Sequence, residues 1–300
     1  MALIVVGSVA FDSVETPYGK AENVLGGSAT YFSIAASFFT SVRLVAVVGR
    51  DFPEALLEIF RRHGVDLSGL ERSDGLTFRW SGSYTGDMNV AETRSCELNV
   101  LGNFHPKLPA DYRGSGFCFL ANCAPAVQME VIHQLTRPQL VVCDTMNHWI
   151  ADDKKGVESV LRKVNGVVLN DAEARMFAGT ENLPRAASHI LEFGPSFVVV
   201  KKGEHGAMLA TREGIFFTPA YPTRSVVDPT GAGDSFAGGL MGYLARAEKF
   251  DFAALRRAMV YGTVAASINV EGFSLERLDN ARYAEIEERS VSLIGMMTVS

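Results

Sequence analysis

Residues 228–239 read DPTGAGDSFAGG, with Gly231, Ala232 and Gly233 set between two carboxylates, Asp228 and Asp234. The apolar spacing of the segment that follows, SFAGGLMGYLARA, predicts a helix starting at this loop. A helix start carries unpaired N–H groups and about half a positive charge, and so holds anions. A phosphoryl group that spreads charge during transfer suits such a place. Asp234, in the first turn, would be stable there as an anion and could take the proton of an attacking hydroxyl. Positioning plus one orienting carboxylate is the division of labour of phosphoryl transfer. The plainer alternative is that Asp234 only complements the helix dipole.

Three further groupings bear on this chemistry. In VVLNDAEA an apolar run ends at Asn170 and a helix begins, with Glu173 three residues on and on the same side. Two oxygen donors at a strand end can hold Mg²⁺ through waters, which Mg²⁺ gives up reluctantly. The same spacing is that of a capping box, in which Asn170 and Glu173 bond each other's backbone. In VVVKKGEHGAML, Gly203 and Gly206 allow close backbone approach, and Lys201 and Lys202 supply charge beside a nucleotide; an ordinary β-turn is the alternative. Near the N-terminus, Asp12 and the Gly26-Gly27 pair fall near one edge, where Asp12 could accept hydrogen bonds from two sugar hydroxyls.

The elements that must carry these groups are legible as apolar runs. LIVVG (3–7), VRLVAVVG (42–49), FCFLAN (117–122), LVVCDT (140–145), GVVLND (166–171) and FVVVKKG (197–203) are nearly continuous, as in strands buried on both faces. Helical stretches at 28–39, 52–63, 125–135, 154–163 and 171–192 separate several of them. Such alternation predicts right-handed βαβ units and a parallel, doubly wound sheet, with ligands at the strands' carboxyl edge. Residues 75–102 break the pattern: two β segments flank the turn-rich YTGDMN, as in a lid, an edge hairpin or a dimer contact.

Composition excludes several classes. At 300 residues, 47% hydrophobic and 21% charged, the chain is neither disordered nor a coiled coil. A net charge of −6 and the lack of any Lys/Arg run offer no footprint for nucleic acid or an anionic membrane. The longest charge-free run, Asn23–Val42, is studded with Ser and Thr and does not read as a membrane span. The four cysteines, Cys96, Cys118, Cys123 and Cys143, form no C-x-x-C pair, which fits thiols in a reducing cytosol. A cytoplasmic protein is expected, since no basic residue precedes the N-terminal apolar run.

In order along the chain, GGSA, NDAE, KKGEHGA and DPTGAGDSFAGGL resemble the motifs of the ribokinase-like (PfkB) carbohydrate kinases. The similarity covers nearly the whole sequence. It implies a three-layer αβα fold: one kinase domain over 1–300, with a mostly parallel sheet and a β lid from about 11–24 and 75–102. It implies transfer of the γ-phosphate of ATP to a hydroxymethyl group of a sugar or sugar derivative. A ribonucleoside kinase and a binding protein that has lost turnover are the alternatives. By the resemblance Asp234 is the base, and the amides of Gly231, Ala232 and Gly233 form the anion hole. Asn170 and Glu173 organise Mg²⁺ and phosphates, and 201–206 lies along ATP. Asp12, Gly26, Gly27 and Ser28 hold the acceptor, and Asp228 helps bind a monovalent cation such as K⁺. A homodimer through the lid is a further implication. Two positions depart from the family pattern. Tyr31 stands where many relatives have Asn, and Lys201 where many have Thr or Ser. With Phe78 and Trp80, Tyr31 could line an acceptor pocket or simply pack.

Overall fold

A computed structural model describes residues 2–298. Its main sheet has nine strands. Seven run parallel: β1 (Leu3–Val6), β4 (Val42–Gly49), β5 (Asp66–Ser73), β8 (Phe117–Leu120), β9 (Leu140–Asp144), β10 (Gly166–Asn170) and β11 (Phe197–Lys201). The antiparallel strands β12 (Ala207–Thr211) and β13 (Ile215–Thr218) close one end, giving the order β13-β12-β11-β10-β9-β8-β1-β4-β5. The apolar runs are continuous because both faces are covered. Leu3 and Val5 enter one core cluster, and Ile4 and Val6 the other.

Helices α1 (Ser28–Ser37), α2 (Glu54–Arg62), α8 (Ala232–Ala247), α9 (Phe252–Asn269), α10 (Glu276–Asn280) and α11 (Tyr283–Met297) cover the first face. Helices α3 (Pro125–Gln134), α4 (Asn147–Asp152), α5 (Lys154–Leu161), α6 (Asp171–Ala178) and α7 (Leu183–Glu192) cover the second. This is the three-layer architecture expected from the strand–helix alternation. The stretch 171–192 is two helices rather than one. Gly179 ends α6 in the left-handed conformation at φ 64°, and the Asn182 side chain caps α7, with Pro184 in its first turn.

A separate four-stranded sheet, ordered β3-β2-β6-β7, joins the two segments expected in the lid. Here β2 (Ala10–Thr16) and β3 (Gly19–Gly26) form one hairpin, and β6 (Phe78–Tyr84) and β7 (Ala91–Glu97) the other. The hairpins are stitched by parallel pairing of β2 with β6. Among the described residues no helix is long and apolar enough to cross a membrane. All four cysteines are unpaired, and burial pushes the Cys123 thiol up to about 12, which makes it inert.

Candidate active site

The parallel register brings the chemistry to one edge of the sheet. Asn170 and Lys201 are direct neighbours at the ends of β10 and β11, and Asp144 ends β9 opposite Val168. Above them α8 begins. Its N-cap, Gly231, adopts φ 76°, and no side chain caps the helix. A Cβ on Gly231 would lie 2.3 Å from the Tyr31 ring, so this position needs glycine for both its backbone angle and its packing. The Ala232 amide donates to the Pro229 carbonyl at 3.1 Å. The Gly231 and Gly233 amides show no partner among the described residues.

Asp234 sits in the first turn of α8. Its carboxyl is pushed up to about 7, first by burial and then by the nearby Asp144 charge, with Lys201 pulling the other way. A base of that strength matches proton removal near neutral pH. Lys201 Nζ donates to Asp144 Oδ2 at 3.1 Å and lies 2.9 Å from where a Cβ on Gly233 would be. Burial alone would lower the ammonium, but Asp144, Glu173 and Asp234 together hold it above the ordinary lysine value. Lys202, next along the chain, lies over the Phe217 ring instead.

Asn170 and Glu173 form the complete capping box: Asn170 Oδ1 accepts from the Glu173 amide at 2.8 Å, and Glu173 Oε2 accepts from the Asn170 amide at 2.7 Å. The capping box therefore exists, and it buries Glu173 beside Asp144. Burial first and that charge second raise the Glu173 carboxyl to about 7. Among the described residues no three His, Cys, Asp or Glu side chains converge as a metal cage. The donors present fit Mg²⁺, which is commonly held by one or two carboxylates together with waters and substrate phosphates.

On the acceptor side, Asp12 on β2 is 4% exposed and accepts from the Gly27 amide at 3.4 Å. Burial, with Asp234 and Asp228 near, lifts it to about 7. The glycine pair is needed for packing as well. A Cβ on Gly26 would lie 1.9 Å from Asp12 Oδ2, and one on Gly27 2.5 Å from the Ser8 carbonyl oxygen. These glycines make room for Asp12 and for β1's exit. The Ser28 hydroxyl bonds that of Ser8 at 3.1 Å, and its amide donates to Ser8 Oγ at 2.9 Å. That pair fastens α1 to the β1 exit.

Tyr31 is fully buried, and its hydroxyl approaches Asp12 without a formed hydrogen bond. Asp228 is 1% exposed, with Oδ1 accepting from the Thr230 amide at 2.9 Å and Oδ2 from the Ser274 amide at 3.4 Å. Burial still raises it above the ordinary carboxylate value. Trp80 faces the lid itself, its indole N–H donating to Thr93 Oγ1 at 3.2 Å.

Three residues that sequence reasoning did not promote complete the site. Asp144 was visible only as a polar strand end. Asn269, at the end of α9, holds the glycine loop by donating to the Thr230 carbonyl at 2.8 Å. Tyr84, at the end of β6, accepts from Thr230 Oγ1 at 3.4 Å. The tip of the same hairpin also reaches the turn after β11, where Asn89 Nδ2 donates to Glu204 Oε1 at 3.3 Å. Gly86–Asn89 thereby wall a cavity of about 610 Å³ with Lys201, Gly203, Gly206 and Gly233. Gly206, at φ 79°, would drive a Cβ to 2.0 Å from the Thr218 carbonyl oxygen, so the β11–β12 turn also requires its glycine.

A doubly wound sheet with a separate four-stranded sheet, a carboxyl at an uncapped helix start and an adjoining cavity are the features of a ribokinase-fold phosphotransferase. The sequence profile of the pfkB family carbohydrate kinases matches residues 112–277, more than half of the chain, and the chain belongs to that family. It is 28% identical over 249 residues to the cytidine kinase of Thermococcus kodakarensis, covering 80% of this chain and 88% of that one. In fold it matches the Burkholderia thailandensis nucleoside kinase in complex with inosine, with a TM-score of 0.80, 19% identity and 98% of each chain covered. A proposed ribokinase II from E. coli in complex with ATP and Mg²⁺ matches with a TM-score of 0.79 and 17% identity, over 97% of this chain and 99% of that one.

Proposed function

We propose that this kinase transfers the γ-phosphoryl group of ATP to the hydroxymethyl group of a ribose unit, and that its acceptor is a nucleoside rather than a free sugar. The observation that carries the transfer is Asp234: a carboxyl raised to about 7, one turn into an uncapped helix and beside a lysine ammonium. Asp234 takes the hydroxyl proton as the oxygen attacks phosphorus. The Gly231 and Gly233 amides receive the phosphoryl oxygens. Glu173, with Asn170 orienting its carboxylate, would hold Mg²⁺ through waters, and the ion would supply neutralisation of phosphate charge. The turn from Lys201 to Gly206 flanks the nucleotide.

Asp12 binds acceptor hydroxyls, and Tyr31 supplies the phenol that replaces an amide. A fully buried hydroxyl without a partner calls for one, and an acceptor hydroxyl would be that partner. The sheet of 10–26 and 78–97 acts as the lid of a single domain. Its edge strand β7, next to the exposed Val90, is the surface on which two copies would pair. A monovalent cation beside Asp228 would offset a buried charge that two amides compensate only in part. The unpaired cysteines fit a cytosolic protein.

Retention of the base argues against a protein that only binds. An ADP-release screen with MgATP across ribonucleosides, ribose and related sugars tests the reading. Turnover is expected on at least one nucleoside. Turnover on sugars alone would overturn the nucleoside assignment, and none on any acceptor would favour the binder.

A further inference from the structure

We propose that the Lys201 ammonium is a catalytic cation that contacts the phosphoryl group in flight, and that Asp144 is the positioning residue that holds it there. The inference rests on the kinase reading above. Its first support is placement. Lys201 Nζ stands 2.9 Å from the Cβ position of Gly233, against the first turn of α8. A cation beside a helix N-terminus is ordinarily unfavourable, because that end of the helix is itself positive. Here the arrangement is enforced by a buried salt bridge of 3.1 Å to Asp144, whose own side chain is 6% exposed.

Asp144 is itself fixed. Its Oδ1 accepts from the Thr145 amide at 2.7 Å, and its carbonyl accepts from the buried Gln128 amide nitrogen at 2.9 Å. A chain of contacts from α3 through β9 thus sets one ammonium at one spot. Two positive features, the free amides of Gly231 and Gly233 and this ammonium, then lie together at the first turn of α8. Lys202 shows that charge alone was not the requirement, since its ammonium turns away toward Phe217. An anion whose charge grows during reaction is the chemistry that makes such convergence favourable.

In the step, the acceptor oxygen forms a bond to the γ-phosphorus while the bond from that phosphorus to the ADP oxygen breaks. ADP departs with that electron pair, and the hydroxyl proton passes to Asp234. Lys201 remains protonated throughout. Asp144 touches no reacting atom, and its effect passes through Lys201.

The test uses the full chain and its best acceptor. We expect Lys201→Met to lower kcat by ~10²–10³, the cost of one donor to developing charge, with the equilibrium Kd for ATP changed less than about fivefold. Lys201→Arg, which keeps the charge, should retain kcat within about tenfold and serves if the Met variant does not fold. Asp144→Asn should lower kcat about tenfold, and the double variant Asp144→Asn/Lys201→Met should be no slower than Lys201→Met alone. A kcat within threefold of the parent in Lys201→Met overturns the proposal. So does a double variant whose losses multiply, above all with a raised Mg²⁺ requirement, because Asp144 would then act as a metal ligand. A parent inactive on every acceptor fails the kinase reading itself; an active parent with an equally active Lys201→Met fails this inference alone.

Discussion

Asp234→Asn should weaken catalysis and strengthen the fold at once. Removing a general base typically costs ~10²–10⁴ in rate, so kcat should fall by that factor with ATP affinity nearly intact. The stability effect follows from the same burial. Lifting the Asp234 carboxyl from 3.8 to about 7 corresponds to at most ~4 kcal/mol against folding at pH 8. The Asp234 residue keeps intermediate exposure despite this burial of its carboxyl, so about half of that, ~2 kcal/mol, is the expected gain on substitution. Between about pH 4 and 7 the folded state binds this proton more readily than the unfolded chain does, so the native protein loses stability as pH rises through that window. Asparagine has no such proton to lose. The variant's advantage should therefore be largest at pH 8, roughly 3 °C in Tm, and should shrink as pH falls toward 4. In the native enzyme kcat/KM should rise tenfold per pH unit below about 7 and level off above it. ADP-release assays and thermal melts at pH 5 and 8 read both arms. A rate loss under tenfold, or a stability difference that is the same at both pH values, would refute the reasoning.

Other outcomes follow from the geometry. Asp12→Ala should raise the acceptor KM at least tenfold with little change in ATP KM; an unchanged acceptor KM removes Asp12 from that role. Gly231→Ala forces a side chain into φ 76° and onto the Tyr31 ring, and should cost ~2 kcal/mol or more, read as a lowered Tm with a lowered kcat. Asn170→Ala breaks the capping box and should cost ~1 kcal/mol in denaturant melts even without MgATP, which separates its structural part from any effect on Mg²⁺ dependence. Replacing K⁺ by a bulky organic cation should weaken activity in the native enzyme and leave Asp228→Asn indifferent; no effect on the native enzyme ends the cation assignment.

The central sheet was readable because each strand buried on both faces leaves an unbroken apolar run, and Leu3–Val6 needed nothing else. Strand β5, DLSGLERS, was not readable, since it lies at the sheet edge, half exposed, and lacks such a run. The single helix expected over 171–192 failed at Gly179 and Asn182, local stop and start signals that outweighed the periodicity on either side. In the site, Asp234, Lys201 and Asn170 announced themselves as polar residues at element boundaries with glycines nearby. Asp144 carried no second signal, because its significance lies in pairing with a residue 57 positions away. The family resemblance implied Ser28 and the Gly26-Gly27 pair beside the acceptor. The structure adds contacts that the motif does not announce: Ser28 bonds Ser8, and Gly26 leaves room for the Asp12 carboxylate. Short sequence motifs indicate where atoms crowd together, but not which of the crowded atoms is the ligand.

The β6–β7 hairpin touches the glycine loop through Tyr84 and the turn after β11 through Asn89. On the lid reading proposed above, one hairpin would then cover both the acceptor side and the nucleotide side. Lifting it would break the Tyr84 and Asn89 contacts together and so loosen both sites at once. A single opening event would then govern the release of both products. Its frequency would cap turnover for every acceptor that reacts faster than the hairpin moves.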